Sequence, residues 1–177
     1  PKLRLPTEYK PIKGWKIAYS LDLGIYEVDK EVIANTKKAL RLFKSLGATV
    51  EEVDLGWTRN AIDTGMWHLE HLFGTQLNQT AKKYASLMTV YARNFARKGS
   101  KSTAALFFKS MEGATKMYES FGPMMEKYDL FICPTTALPA VRADFNENKD
   151  VVRINGKISP LPKVLAWCMT TPFNTLS

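Results

Sequence analysis

The sequence predicts an α/β fold: a mixed β-sheet core flanked by helices, in a single unit over residues 1–177. Three observations lead there. Trp15–Ser20 and Ala48–Leu55 are short strand-like runs with a helical stripe between them, the pattern of a right-handed parallel βαβ unit. A long amphipathic helix runs into Tyr128–Ala140, YDLFICPTTALPA, where Leu130–Cys133 reads as a buried strand stopped by Pro134. Asn155-Gly156, between Val151–Ile154 and Lys157-Ile158, is a turn signal within the polar stretch Ala143–Ser159, which reads as a small hairpin or as an excursion over the surface.

Taken in order, Pro1–Lys13 is rich in Pro and Lys and reads as a connector. Trp15–Ser20 alternates as a strand does, and Asp22-Leu-Gly24 turns the chain. A helix then starts at Asp29, a plausible N-cap. Val32, Thr36, Ala39, Phe43 and Leu46 recur at helical spacing, and Gly47 supplies the left-handed stop. Trp57–Lys83 is expected to be helical, weakened at Gly65 and Gly74. Leu87–Arg97 is a further helix, closed by Lys98-Gly99. Ser100 or Ser102 should cap the next one. That helix carries the most regular stripe of the chain, from Phe107 through Met111, Ala114, Tyr118, Phe121 and Met125 to Tyr128. Pro123 inside it predicts a kink or break. Four methionines fall in Met111–Met125, and core packing explains them better than a cofactor box. Leu161–Met169, after two prolines, is predicted helical.

Composition narrows the function classes. Apolar residues make up 45% and charged residues 24%, ordinary for a folded domain. The net charge is +8, but the basic residues are spread over separate helices, and Lys37-Lys38 and Lys82-Lys83 are only short groups. This reads as a solvated basic surface without a nucleic-acid module. No run approaches the ~20 apolar residues of a membrane span. Cys133 and Cys168 form no CxxC, so no metal cluster or redox pair is expected, and free thiols suit a reducing, cytoplasmic setting. The chain starts at Pro1 and stops at Ser177 in mid-pattern, as a fragment would.

Several residues could carry chemistry. His68 and His71 share a helix face at i and i+3, but zincins use HExxH and no third ligand is evident, so no metal is expected. Cys133 ends a strand without a pairing base, which fits a buried structural thiol. Thr135 and Thr136 stand at the C-terminal end of that strand, where open α/β sheets bind ligands. They could bond a substrate carbonyl or cap a turn. Val164, Trp167 and Thr171 share one face if Leu161–Thr171 is helical, as a pocket wall or as plain core.

An ordered series now stands out: GWKIAYSLDLG at Gly14–Gly24, VDKEV at Val28–Val32, LGATVEEVDL at Leu46–Leu55, YDLFICPTTALPA, and TTPFNTLS at Thr170–Ser177. Together these resemble the second half of the amidase signature family's core. The resemblance implies a part of that fold, the C-terminal part of a larger amidase domain. It implies hydrolysis of a carboxylic amide to acid plus ammonia or amine, by a Ser–cis-Ser–Lys mechanism without cofactor. The family's Gly/Ser-rich stretch and lysine motif have no counterpart here; Lys2 and Lys10 lack the context. No catalytic residue is therefore assigned, and the chain alone is expected to be inactive. What the resemblance does carry over is a substrate-binding wall of Val164, Trp167 and Thr171, with Thr135 on the approaching loop. The implied partners are a small-molecule amide and the remainder of the amidase polypeptide, with no nucleic acid and with homodimerisation left open. One alternative is the A subunit of a tRNA-dependent amidotransferase. Leu87–Thr103 departs from the arginine-rich segment of those subunits, which favours a stand-alone amidase. Another alternative is a non-catalytic α/β binding module.

Overall fold

The structure, a computed structural model, describes residues 8–146, 148–161 and 163–176. The first seven residues of the expected connector lie outside these. Residues 8–13 form no regular element.

The βαβ unit forms as predicted. Strand β1 (Lys16–Tyr19) leads to helix α1 (Lys30–Ser45) and strand β2 (Thr49–Glu52), which pairs in parallel with β1. The Asp29 side chain accepts from the Glu31 N–H at 2.8 Å, as an N-cap should. Gly47 sits at φ +91, the left-handed geometry a glycine tolerates. The inward stripe is turned slightly from the expected one. Leu40 is buried and Val32, Ile33, Thr36 and Phe43 partly so, while Ala39 and Leu46 face outward.

Strand β3 (Leu130–Ile132) adds to the other side of β1, also in parallel, giving the order β2-β1-β3. Side chains alternate along it. Leu130 and Ile132 join the core between sheet and α1, and Phe131 joins the larger core on the opposite face. The Tyr-Asp before β3 sets its register. Asp129 Oδ2 accepts from the Lys16 N–H at 2.8 Å, and the Asp129 N–H donates to the Lys16 carbonyl at 2.8 Å. Tyr128 donates to Glu51 across the sheet. The fold is α/β as expected, with a three-stranded sheet that is parallel throughout and an antiparallel two-stranded ribbon apart from it.

Between β2 and β3 the chain runs through helices. Helix α2 (Arg59–Leu69), capped by Thr58, passes through a π-helical turn at Glu70–Gly74 into α3 (Thr75–Tyr84). Helix α4 (Val90–Gly99) follows, capped by Thr89. The glycines expected to weaken this region are points of close approach. A Cβ on Gly65 would stand 2.3 Å from the Thr171 carbonyl oxygen, and one on Gly99 would stand 2.0 Å from the Gly74 carbonyl carbon.

Helix α5 (Ala104–Met125) has the predicted extent, but Thr103 caps it rather than Ser100 or Ser102. Both serine hydroxyls are engaged elsewhere. Ser100 donates to the Arg97 carbonyl, and Ser102 meets His71 Nδ1. Thr103 has the extended backbone of a cap and accepts from the Leu106 N–H. Pro123 falls in the last turn, two residues before the helix ends, so it closes the helix instead of kinking it. The buried face runs through Ser110 and Met117, while Met111 and Tyr118 of the predicted stripe are 51% and 58% exposed.

The ribbon is strands β4 (Arg153–Ile154) and β5 (Lys157–Ile158), turned at Asn155 and Gly156, both at positive φ. The Asn155 side chain accepts from the Lys30 N–H and donates to the Val28 carbonyl, tying the ribbon to the start of α1.

Candidate functional site

Beyond β3 the chain enters the loop Pro134–Ala137, which is stitched on both sides. The Ala137 carbonyl accepts from the Asp29 N–H at 2.8 Å. On the other side, the Ala137 N–H donates to the Trp167 carbonyl at 2.9 Å, and the Met169 N–H donates to the Thr135 carbonyl at 3.2 Å. Thr136 and Cys168 form an isolated antiparallel bridge.

These bonds explain why Leu161–Met169 is not the predicted helix. Only a 3-10 turn forms, at Lys163–Ala166, and a second 3-10 turn follows at Thr171–Thr175. The backbone at 167–169 is diverted from helical bonding to the loop after β3. Helical spacing therefore does not place Val164, Trp167 and Thr171 on one face.

Val164 and Trp167 nevertheless line one cavity of about 320 Å³. Its other walls include Val90 and Tyr91 from the start of α4 and Phe145 from the loop before the ribbon, with Thr89, Asp144 and Asn146 as polar groups among them. Phe145 stands edge-on to Trp167, with ring centroids 5.2 Å apart at 87°. Thr171 is not part of this wall; it is 3% exposed and packs against Gly65 of α2. Thr135 is exposed, and its backbone holds the segment that carries Trp167. Val164 and Tyr91 also border a neighbouring cavity of about 250 Å³, with Arg97, Lys98 and Lys163 on its walls. Lys98 is paired with Glu70 at 2.9 Å.

Sequence reasoning missed Phe145 and Tyr26. Phe145 is the one aromatic in the polar stretch Ala143–Ser159, which was the available signal. Tyr26 donates to the Cys168 carbonyl at 3.0 Å, and burial holds its phenol well above the usual range. No spacing in the sequence joins those two residues.

The remaining candidates sit apart. Burial pushes the Cys133 thiol up to about 11, so it stays protonated and poorly nucleophilic at neutral pH. His71 stacks on Phe107 at 4.5 Å and its Nδ1 lies 3.1 Å from the Ser102 hydroxyl. Burial, and then His71, lower the His68 pKa. Among the described residues no group of three or more His, Cys, Asp or Glu side chains converges on one point. No described helix is long and apolar enough to cross a membrane.

Comparison with known proteins gives a consistent answer. The chain is 27% identical over 179 residues to the A subunit of the glutamyl-tRNA(Gln) amidotransferase of Latilactobacillus sakei, covering 88% of this chain and 37% of that protein. It is 25% identical over 174 residues to an acylamidase of Rhodococcus erythropolis, covering 94% and 34%. The fold superposes on a bacterial aryl acylamidase of the amidase signature enzymes with a TM-score of 0.73 at 21% identity, covering 93% and 36%. On the glutamyl-tRNA(Gln) amidotransferase A subunit from Thermotoga maritima the TM-score is 0.53 at 20% identity, covering 94% and 34%. The chain thus spans 34–37% of the length of these relatives. The family model for amidases matches residues 4–176, nearly the whole chain, and the chain belongs to the amidase family.

Proposed function

We propose that the protein carrying this chain is a cytoplasmic amidase that hydrolyses a carboxylic amide to acid plus ammonia or amine through a serine nucleophile. This chain supplies scaffold and part of the acyl pocket rather than the nucleophile. The observation that carries the reading is the cavity in which Val164 and Trp167 meet Phe145, beside the loop at the C-terminal end of the sheet. Its walls are largely apolar with a few polar groups, which suits an acyl chain or aryl ring. Thr135 supports that wall through its backbone, and Thr171 acts through the packing of α2. Both cysteines are free thiols, in keeping with a cytoplasmic setting.

Trp167→Ala tests the pocket in the complete enzyme. A lost apolar contact is worth about 1–3 kcal/mol, or roughly 10- to 200-fold in relative kcat/KM between long and short acyl amides. An unchanged ratio with an even loss of activity would make Trp167 core and remove the pocket. The second reading is an amidotransferase A subunit, favoured by its recurrence among the sequence relatives. The departure at Leu87–Thr103 and the closer superposition on the acylamidase weigh the other way. Glutaminase activity that appears only with a partner subunit would establish the second reading.

A further inference from the structure

A second cleft, of about 310 Å³, lies between α2 and α5 and shares no residue with the cavity of Trp167. Its floor is apolar, formed by the buried side chains of Trp57 and Met117 with Trp67 beside them. Three charged side chains of α5 stand at it: Lys109, Glu112 and Lys116. Among the described residues none of the three forms a salt bridge. Lys109 lies over the Trp67 ring, 4.7 Å from its centroid. Two ammonium groups against one carboxylate leave the cleft cationic. The first turn of α2, at Thr58 and Asn60, adds the positive end of a helix.

Thr64 is the observation that points to a ligand. It is 2% exposed and lines the cleft, yet its hydroxyl makes no hydrogen bond among the described residues. No fully enclosed polar side-chain atom among those residues lacks a partner, so this hydroxyl opens onto the cleft. Gly113 makes room for it: a Cβ there would stand 2.2 Å from Thr64 Oγ1. Facing the cleft with no partner among the described residues, this hydroxyl is free to donate to a polar ligand that enters there.

We propose that the α2–α5 cleft is a binding site for a small aromatic carboxylate. The ring lies on the apolar floor against Trp57, Trp67 and Met117. The carboxylate takes charge-assisted bonds from Lys116 and Lys109 and a hydrogen bond from the Thr64 hydroxyl. The site is connected to the chain's signature segment, because Trp57 also packs on Phe173 at 5.3 Å and the residue after Thr64 touches Thr171.

The probe is benzoate, titrated against the chain with tryptophan fluorescence and calorimetry as readouts. Benzamide, benzylamine and acetate serve as comparisons. Benzoate should saturate, and bind about 10-fold more tightly than its neutral, cationic and ringless counterparts. The double variant Lys109→Gln/Lys116→Gln, at exposed positions that leave the fold intact, should raise Kd by about 10-fold. Lys37→Gln/Lys38→Gln on α1 should leave it within about 2-fold. Thr64→Val should weaken benzoate more than benzamide. No saturable binding of benzoate, equal affinity for benzamide, or indifference to the Lys109/Lys116 pair would each overturn the proposal.

Discussion

At the scale of single residues, chemistry readable from residue type survives, and chemistry that needs a neighbour does not. Asp29, Gly47 and Asn155-Gly156 do what their backbone preferences dictate. Ser100 fails as a cap because its hydroxyl turns back onto the Arg97 carbonyl at the end of α4, and Ser102 because its hydroxyl meets His71, thirty-one residues away in sequence. Cys133 allows a pH prediction. Its thiol is raised from 9.0 to about 11 by burial, so the fold favours the protonated form. That contribution is complete below pH 9 and disappears as pH rises through 11. Iodoacetamide should therefore label Cys133 slowly at pH 8 and accelerate only toward pH 11; fast labelling at pH 8 in the native protein would contradict its burial. Gly65 gives a second prediction. Ala would gain about 1 kcal/mol of helix propensity, but its Cβ meets a backbone carbonyl that can move only with its whole turn. Overpacking of about 1–3 kcal/mol should dominate. Gly65→Ala is expected to lower the denaturation midpoint in urea, and an unchanged or higher midpoint would show that α2 and the Thr171 turn can separate.

Among the elements, helices and strands were legible wherever local pattern and tertiary packing agree. The βαβ unit, α5, β3 and the ribbon fall close to their predicted bounds. The segment at 163–169 is the instructive failure. Its apolar spacing fits a helix, but the loop after β3 takes its carbonyl and amide groups, and two of the three expected pocket residues reach one cavity by a different route. Periodicity cannot report on hydrogen bonds made by a distant loop. The cap of α5 provides the test at this scale. Thr103→Ala should cost about 1 kcal/mol, and Ser102→Ala should leave the helix cap intact. Thermal denaturation of both variants decides it; a larger loss at Ser102 would return the cap to the serine.

For the molecule as a whole, the alternation of strands and helices announced the fold class, and the ordered motifs announced the family. The exposed apolar residues of α5 were not foreseen, because a stripe in sequence does not say which side is covered. Phe108, Met111 and Tyr118 are all more than half exposed. The isolated chain should therefore bind a hydrophobic dye such as ANS while natively folded. Phe108→Ser/Met111→Ser should reduce the signal and shift stability by only about 0.5 kcal/mol per site, the usual scale for surface changes. Undiminished dye binding would place the apolar surface elsewhere. The Asn155 tether also has a bearing on time. It joins residues 125 apart, and the Asp129 clamp on β1 joins residues 113 apart. Such long loops close late, since their ordering entropy is lost before any contact repays it. In refolding, the β1–α1–β2 unit with its local crossover should gain amide protection first, β3 next, and the ribbon last. Newly made protein would accordingly pass through a stage with one bare edge of β1, and that edge is where a folding accident would begin.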